Sequence, residues 1–416
     1  MDCCLTEEKV RELVSEFGSP LYLFHRDKFV ENYRHLLSAF QSIYPKYNIA
    51  YSYKTNYTPY ICRLVKESGG VAEVVSDMEY RVAKKIGYDN KDIIYNGPIK
   101  GDGLYEHLLC GGVANVDNLD ELLDIIAFAE THREKKFKLA FRCNIDIGQG
   151  FISRFGLDAY TGAHNDSELE QAYALIKKVP NIKVVGIHCH VGRSRNLEAW
   201  KNRVAIIFKL VDKYFDEVPE FIDLGSGMNS VMEDSLAVQF GEHIPTYEEY
   251  AAIVATAMKE RYGSLKTDKQ PCLYTEPGTT LISGYMSFLA TVKSVKNVKG
   301  KTFVTFDCSG GQLGDICHLK KLPITVYGEG GQAYDCKNAD FVGYTCLEHD
   351  DLYQGFSGKI AVGDIVQFRN VGSYSNVFKP PFIYPNCAMA VVRNNGEAQL
   401  IKRRETFDDI FASYMF

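Results

Sequence analysis

The sequence predicts an α/β fold with a second, all-β domain, and two observations support this prediction. Between residues 46 and 278, eight short β-rich runs each end in a polar or glycine-containing cluster, and helix-like segments follow them. Eight such alternations in about 230 residues match a (β/α)8 barrel of the TIM type, whose typical length is about 250 residues. After residue 280, strand-like segments separated by Gly, Asn and Asp turns predict a C-terminal antiparallel β-barrel or sandwich.

The predicted barrel covers residues 23–280, and the predicted β domain combines residues 1–22 with residues 281–416. The N-terminal segment that ends in GSPLYLF is expected to contribute a strand to the β domain. An open, doubly wound sheet is the alternative for the repeating part of the chain. That fold would require a G-x-G-x-x-G turn after an early strand, and this sequence has none.

The strands of the predicted barrel place chemically capable side chains at one end. Chemistry in this fold lies at the carboxyl ends of the strands, so the residues that close each run are candidates for a site. The runs are, in order, YNIAYSYK, GVAEVVS, DIIYNGP, GVANVDN, LAFRCNID, VVGIHCHVG, FIDLGSG and CLYTEPG. Amphipathic segments such as 120–134 and 197–215 predict the intervening helices. The candidates are Lys54, Glu73, Ser76, Asn96, Arg142, Asn144, His188, His190, Gly225, Gly227, Glu276 and Gly278.

Composition and charge argue against several classes of function. The formal net charge of −6 and the lack of a Lys/Arg-rich tract argue against nucleic-acid binding. No apolar run approaches the roughly 20 residues that a membrane-spanning helix needs, and the acidic N-terminus lacks the features of a signal peptide. The twelve cysteines are scattered and form no C-x-x-C pair, so we expect reduced thiols and a cytoplasmic protein.

Lys54 is the most informative residue at the strand ends. It closes the first run, in AYSYKTNYTP, where tyrosines surround it. Because a lysine is costly to bury, its side chain either reaches to water or serves as a reactive amine. The turns DLGSGM (223–228) and EPGTT (276–280) follow the seventh and eighth runs, where barrels commonly bind phosphate. Such glycine turns also occur without any ligand, and that interpretation stays open.

The motif GIHCHVG carries two histidines that share one face of a strand. They suit a metal site, a packed core, or the stacking of a flat imidazole on a planar ligand. No other run ends in histidine, which weakens the metal interpretation. Pyridoxal 5'-phosphate would use all of these groups: a lysine, a phosphate-binding turn, a flat imidazole to stack on its ring, and the carboxylate of Glu276. Its protonated pyridine stabilises carbanions. Lys54 would hold its aldehyde as a Schiff base, so we predict this cofactor and no metal.

These motifs resemble those of the fold-type III, pyridoxal phosphate-dependent decarboxylases, which include diaminopimelate, arginine and ornithine decarboxylases. The resemblance runs from GSPLYLF to GSYSNVF, and it implies the alanine racemase-like pairing of barrel and β domain. It also implies head-to-tail homodimers with shared sites, and an amino-acid substrate. GYTCLEHDDL resembles a loop that supplies a cysteine, which makes Cys346 the implied proton donor beside Lys54. The cofactor-binding residues we predict are Lys54, Glu73, Arg142, His190, Gly225, Gly227, Glu276, Gly278 and Tyr374.

The sequence departs from the family pattern at positions that concern the substrate. The eighth-strand motif usually continues with an arginine, but here the residue is Thr279, and the residue after the loop cysteine is Leu347 rather than an acid. An arginine expected in GGQLGDICHLKK is also missing. Conversely, Arg193 replaces a small serine and could pair with the phosphate or with a substrate carboxylate. The candidate substrate-binding residues are Arg193, Glu348 and His318, with His349 as a further loop residue.

A decarboxylase for an amino acid other than diaminopimelate, free, conjugated or bound to a carrier, is therefore the predicted function. An amino-acid racemase is the nearest alternative, but racemases of the alanine type pair the pyridine nitrogen with arginine rather than with a carboxylate such as Glu276. A non-catalytic homologue would commonly have lost the lysine or the loop cysteine, and this chain keeps Lys54 and Cys346.

Overall fold

The computed structural model describes residues 3–148, 150, 153–160, 167–328, 333–378 and 381–416. The chain divides into two compact units. The barrel unit comprises Arg34–Asn229 and His243–Gly278. The β unit comprises Met1–Tyr33, Ser230–Glu242 and Thr279–Phe416. These bounds differ from the predicted 23–280, chiefly because two parts of the predicted barrel, the eleven residues 23–33 and the thirteen residues Ser230–Glu242, group with the β unit.

Eighteen strands lie in the described part of the chain. In chain order they are β1 Leu21–His25, β2 Tyr47–Ser52, β3 Val71–Val74, β4 Ile93–Tyr95, β5 Val113–Val116, β6 Phe137–Asn144, β7 Leu157–Asp158, β8 Ile182–His188, β9 Phe221–Asp223, β10 Cys272–Thr275, β11 Met286–Val298, β12 Lys301–Phe306, β13 Ile324–Tyr327, β14 Tyr334–Val342, β15 Asp351–Ile360, β16 Ile365–Arg369, β17 Ala388–Val392 and β18 Ala398–Lys402.

Fourteen α-helices accompany these strands in the same described ranges. They are α1 Glu7–Phe17, α2 Arg26–Gln41, α3 Pro59–Glu67, α4 Asp77–Ile86, α5 Gly103–Leu109, α6 Leu119–Thr131, α7 Glu168–Ile176, α8 Leu197–Tyr214, α9 Asp234–Ala237, α10 Tyr247–Tyr262, α11 Thr279–Ile282, α12 Gly310–Leu313, α13 Ile316–Leu319 and α14 Phe407–Phe411. None of them combines the length and apolar character that crossing a bilayer requires.

The barrel unit confirms the predicted (β/α)8 architecture. Eight parallel strands pair in the order β2, β3, β4, β5, β6, β8, β9 and β10, and β10 pairs back with β2. The short strand β7 extends β6 outside this ring. Helices alternate with the strands because residues that cap the N-terminus of a helix follow the strands closely. Asn196, for example, caps α8 by accepting a hydrogen bond from the Ala199 amide. All eight carboxyl ends therefore meet at one mouth.

The β unit contains a nine-stranded sheet that is mixed rather than purely antiparallel. Most of its pairings are antiparallel, as predicted, but β1 pairs with β17 and β12 pairs with β14 in parallel. The strand expected from GSPLYLF forms as β1, which lies between β11 and β17. Because β1 comes from the distant N-terminus, no tight hairpin forces it to run antiparallel to β17.

Candidate active site

A cavity of about 670 Å³ opens at the mouth of the barrel, within the barrel unit. Its volume is typical of small-molecule sites. Six of the predicted cofactor- and substrate-binding residues line it, together with the strand-end candidates Asn96 and His188. The full lining is Lys54, Glu73, Val75, Asn96, Gly97, Pro98, Arg142, Ser153, Arg154, Phe155, His188, His190, Gly192, Arg193 and Glu276.

Lys54 is held in the cavity by its neighbours. Strand β2 ends at Ser52, and a single 3-10 turn, Tyr53–Thr55, follows it. The flanking residues Tyr53 and Thr55 are buried, whereas the Lys54 side chain keeps 32% of its exposure. Its ammonium group donates to Ser52 Oγ and to Glu73 Oε2, both at 2.7 Å. The amine is thus fixed at the strand end rather than extended into bulk water.

A chain of hydrogen bonds links the lysine to the carboxylate that was predicted at the pyridine nitrogen. Asn96 Nδ2 donates to Glu73 Oε1 at 3.0 Å and also to Glu276 Oε1. Asn115 Nδ2 in turn donates to Asn96 Oδ1 at 2.6 Å, which orients the Asn96 amide. Glu73, Asn96, Asn115 and Glu276 are all buried. Sequence reasoning missed Asn115 because it lies inside an apolar strand, where the sequence does not show to which side of the sheet its side chain points.

Glu276 carries the negative charge of a buried cluster. Its Oε1 lies 3.3 Å from His188 Nε2, and its Oε2 lies 3.6 Å from His190 Nδ1. Burial raises the pKa of Glu276, but His188, His190 and Lys54 outweigh it and bring the pKa well below its usual range. Burial, followed by the charge of Glu276, raises the pKa of Asp223 well above its usual range. At neutral pH, Glu276 is therefore ionised and Asp223 is protonated.

His190 presents a neutral, flat ring to the cavity. The Ser226 amide donates to its Nδ1 at 3.2 Å, so the proton of the neutral ring lies on Nε2. Burial lowers the pKa of His190 to about 4, and the ring keeps a quarter of its exposure, on the cavity side. His188 and His190 both lie beside Glu276, but His190 also accepts a hydrogen bond from the turn at Ser226 and is a quarter exposed, whereas His188 is buried. This arrangement favours the stacking interpretation of His190 over a shared metal.

The predicted glycine turns pack against the strand ends that carry these groups. Gly225 and Gly227 have φ values of +61° and +105°, and a Cβ atom on Gly227 would lie 2.4 Å from Val191 O. A Cβ atom on Gly278 would lie 1.9 Å from Thr55 Oγ1, beside the lysine turn. The fold therefore requires glycine at these positions with or without a ligand. Within the described ranges, the amides of Gly227 and Gly278 have no hydrogen-bond acceptor, so they remain available for an anion.

Arg203 holds the turn that contains Gly225 and Gly227 through hydrogen bonds, and sequence reasoning missed this residue. This residue of α8 is fully buried, and its guanidinium lies 4.1 Å from the Trp200 ring. It donates to Leu224 O at 2.7 Å, Ser226 O at 2.8 Å and Val191 O at 2.9 Å. These bonds bind the turn after β9 to the segment after β8. An arginine on an amphipathic helix is normally solvated, so only its i, i+3 relation to Trp200 marked it as part of the buried face.

Replacing Arg203 by lysine is expected to weaken binding of the cofactor without unfolding the barrel. An ammonium group cannot reach three carbonyl oxygens in the plane that the guanidinium spans. Loosening the turn should raise the dissociation constant for pyridoxal phosphate about tenfold, the effect of losing roughly one such hydrogen bond. Absorbance titration of the apoenzyme measures it, with exposed Arg81→Lys on α4 as the control. An unchanged dissociation constant would show that the turn does not depend on Arg203.

Four predicted residues lie in the β unit. Cys346 and Glu348 line a cavity of about 390 Å³ in that unit. Their loop is held by Asp350, whose carboxylate accepts hydrogen bonds from the Gly310 amide at 2.7 Å and from Thr345 Oγ1 at 2.6 Å. The remaining two residues are His318, exposed on α13, and Tyr374, which has φ of +56° and is 40% exposed. Their predicted roles stay predictions.

The groups in the barrel cavity fit pyridoxal phosphate. The cavity offers one tethered primary amine, one ionised carboxylate beside two imidazoles, and one neutral ring that is a quarter exposed. Unpaired backbone amides on the turns after β9 and β10 suit the phosphate group. This combination of barrel and site defines an enzyme of the pyridoxal phosphate-dependent class.

Comparison with known proteins makes the assignment specific. Residues 28–283 match the family described as pyridoxal-dependent decarboxylase, pyridoxal binding domain, and the chain belongs to this family. It is 27% identical to a diaminopimelate decarboxylase of Neisseria meningitidis over 411 residues, covering 96% of this chain and 94% of the relative. It is 25% identical to an L-glutamyl-[BtrI acyl-carrier protein] decarboxylase of Niallia circulans, covering 99% and 97% of the two chains.

A solved structure supports the fold independently. The diaminopimelate decarboxylase of Methanocaldococcus jannaschii in complex with L-lysine superposes with a TM-score of 0.84, covering 98% of this chain and 94% of that one. At 22% identity this likeness concerns the fold alone. The predicted class is therefore confirmed: the chain is a pyridoxal phosphate-dependent decarboxylase, a carboxy-lyase that acts on an amino-acid substrate.

Proposed function

We propose that this decarboxylase acts on an amino acid or amino-acid derivative other than diaminopimelate. The departure from the family pattern at two substrate positions carries this proposal. Thr279 and Leu347 cannot form the ion pairs that an arginine and an acid would make with the distal end of diaminopimelate. A site that has lost such groups no longer discriminates in favour of that substrate. The similarity to a decarboxylase of a carrier-bound glutamyl group supports including carrier-bound amino acids among the candidate substrates.

When bound, pyridoxal phosphate supplies an aldehyde that condenses with amines and a protonated ring that accepts the electron pair left by departing carbon dioxide. The residues of the barrel unit would divide the remaining work. Lys54 Nζ, kept beside Glu73 Oε2, is the amine that yields its place to the substrate amine. Glu276 would hold a proton at the ring nitrogen, and His190 would cover one face of the ring. Amides of Gly227 and Gly278 would donate hydrogen bonds to the phosphate, with Arg193 as a cation of the same cavity.

Release of carbon dioxide from a panel of D-, L- and N-acylated amino acids tests the substrate proposal. The panel includes meso-diaminopimelate and an L-glutamyl thioester of an acyl-carrier protein. We expect meso-diaminopimelate to be a poor substrate relative to the best member, and the product to be an amine rather than an inverted amino acid. Equal rates from meso-diaminopimelate and every other candidate would overturn the interpretation of Thr279 and Leu347.

Cys346 is proposed as the proton donor that completes the reaction. Replacing it by alanine is expected to lower turnover about a hundredfold or more, the usual contribution of a positioned acid. The covalent link at Lys54 should persist, because it does not involve the thiol, so the cofactor's absorption band should be unchanged. Exposed Cys110→Ala in the barrel unit is the matched control. Full activity in Cys346→Ala would remove this residue from the mechanism.

A cytoplasmic homodimer with shared sites is the proposed assembly. All twelve cysteines are free thiols, which suits a reducing compartment. The β unit also exposes apolar side chains close together in sequence, Phe378, Phe382, Ile383 and Tyr384, each 49% to 72% exposed. Such a surface fits a second copy of the chain.

Mixing two inactive variants tests the shared site. If one subunit supplies Lys54 and the other Cys346, a hybrid of Lys54→Ala and Cys346→Ala subunits has one complete site. Random reassociation should then restore about a quarter of the wild-type activity, since half of the dimers are hybrids with one working site. No recovery, with hybrid dimers demonstrated by mass, would place both residues in one subunit's site.

A further inference from the structure

The carboxylates and the guanidinium groups of the barrel cavity come from different parts of the ring of strands. The acidic residues come from β3 and from the turn after β10, and each is already engaged: Glu73 with Lys54, and Glu276 with Asn96 and His188. The guanidinium groups come from the opposite part of the ring, on and after β6 and after β8, which are adjacent strands. They belong to Arg142, Arg154 and Arg193.

Arg154 is fixed in position without being neutralised. Its guanidinium carbon lies 4.2 Å from the centre of the Phe155 ring, and the Arg142 guanidinium lies 4.8 Å from the same ring. Arg142 has an acidic partner, Asp117, at 3.4 Å. In the described part of the chain, no carboxylate approaches within 4.0 Å of Arg154, and the side chain is exposed. Two cations share one aromatic ring, and an anion bound between or beside them would relieve their repulsion.

The phosphate of the cofactor does not account for Arg154. The glycine turns predicted for that phosphate follow β9 and β10, and the Gly227 turn packs directly on Val191, just before Arg193. Arg193 is therefore the cavity arginine closest in sequence to the segment on which that turn packs. Arg154 comes from the segment after β6, and its guanidinium packs on Phe155, which belongs to neither glycine turn.

We propose that Arg154, positioned by Phe155, binds a second anionic group at the distal end of the substrate, a carboxylate or a phosphate ester. This inference rests on the proposed function, because it assigns a substrate class to the same site. A guanidinium pairs with either anion through two parallel hydrogen bonds, whereas a distal ammonium group would be repelled. The enzyme therefore takes amino acids whose side chain ends in negative charge.

Matched substrates and variants test this assignment. The substrates are L-glutamate and L-2-aminoadipate against L-glutamine and L-norvaline, with O-phospho-L-serine for the phosphate class and L-lysine for the opposite charge. The variants are Arg154→Gln, Arg154→Lys and Phe155→Leu, with the exposed Arg133→Gln as control. Both carbon dioxide release and the shift of the cofactor's absorption band on titration with each amino acid are measured, so that binding is followed without turnover.

We expect anionic side chains to be preferred at least tenfold in kcat/KM. Arg154→Gln should raise KM and the spectroscopic dissociation constant for anionic substrates about tenfold, with kcat within about twofold, which removes roughly 1.4 kcal/mol of binding. Arg154→Lys should retain part of the preference, and Phe155→Leu should lose part of it. Comparison of the carboxylate and phosphate members identifies which anion is bound.

Two failures are distinguishable. If the cofactor is bound and the amino acids bind equally whatever their side-chain charge, or if Arg154→Gln leaves the preference intact, this inference is wrong and the decarboxylase assignment stands. If neither these amino acids nor the N-acylated and carrier-bound members of the earlier panel shift the absorption band or release carbon dioxide, the proposed function itself fails, and this inference fails with it.

Discussion

Lys54→Ala is expected to abolish turnover and covalent attachment of pyridoxal phosphate together, and it is the most damaging single change we foresee. The ammonium group is the sole primary amine among the described residues that line the barrel cavity. Without it, neither capture of the aldehyde nor its transfer to the substrate amine has a nucleophile. Turnover should fall by at least about a thousandfold, the scale of losses when a covalent catalyst is removed.

The experiment separates the loss of the nucleophile from the loss of an ion pair. Borohydride treatment followed by peptide mapping should place a pyridoxyl group on Lys54 in the native enzyme and none in Lys54→Ala. Lys54→Arg restores a cation beside Glu73 and should be equally inactive. The fold should survive in both, because Glu73 keeps hydrogen bonds from Ser52 and Asn96. Lys85→Ala, an exposed residue of α4, serves as the control. A pyridoxyl adduct on another lysine would contradict the site described above.

Glu276→Gln is expected to give the second largest loss while leaving the covalent link intact. The neighbouring imidazoles and Lys54 hold the pKa of Glu276 low against the effect of burial, and only a carboxylate can retain a proton at the ring nitrogen. An amide of the same size keeps the packing but not the charge. Turnover should fall by about a hundredfold to ten-thousandfold, the range assigned to a positioned acid or base.

The readout for this variant is a contrast between two measurements. Borohydride should still trap the cofactor on Lys54 in Glu276→Gln, since the lysine amine is held by Ser52 and Glu73, whereas carbon dioxide release should fall. Glu79→Gln replaces another buried glutamate of the barrel unit, one that does not line the cavity, and should stay active. A native rate of turnover in Glu276→Gln would show that a group other than Glu276 keeps the ring nitrogen protonated.

The parts of the fold that follow from local periodicity could be predicted from the sequence. Eight strand runs with polar ends determine a barrel, and parallel pairing then brings Lys54, Glu73, His190 and Glu276 to one mouth without further information. Recognition of the family added the roles of these groups. Cys346 belongs to the β unit, and its role depends on an assembly that a single chain does not reveal.

The parts that depend on distant packing could not be predicted. The helical pattern of α8 puts Arg203 on the same face as Trp200, but it does not show that the guanidinium binds three carbonyl oxygens. Residues 230–242 lie between two predicted strands, so their association with the β unit has no local signal. The stacking of Arg154 on Phe155 depends on the local backbone of residues 153–155, which belong to no helix or strand, and such geometry is not periodic.

The contact of Gly278 with Thr55 has a consequence for how the enzyme matures. The contact lies at the seam of the barrel, where the first strand, β2, pairs with the last, β10. Lys54 follows β2 and Glu276 follows β10, so the two residues lie on either side of this seam. During synthesis, a ribosome must release more than two hundred residues after Lys54 before the seam can close. A nascent chain that stops short of β10 therefore lacks Glu276 and the Gly278 turn, so loading with the vitamin-derived coenzyme must await the finished ring.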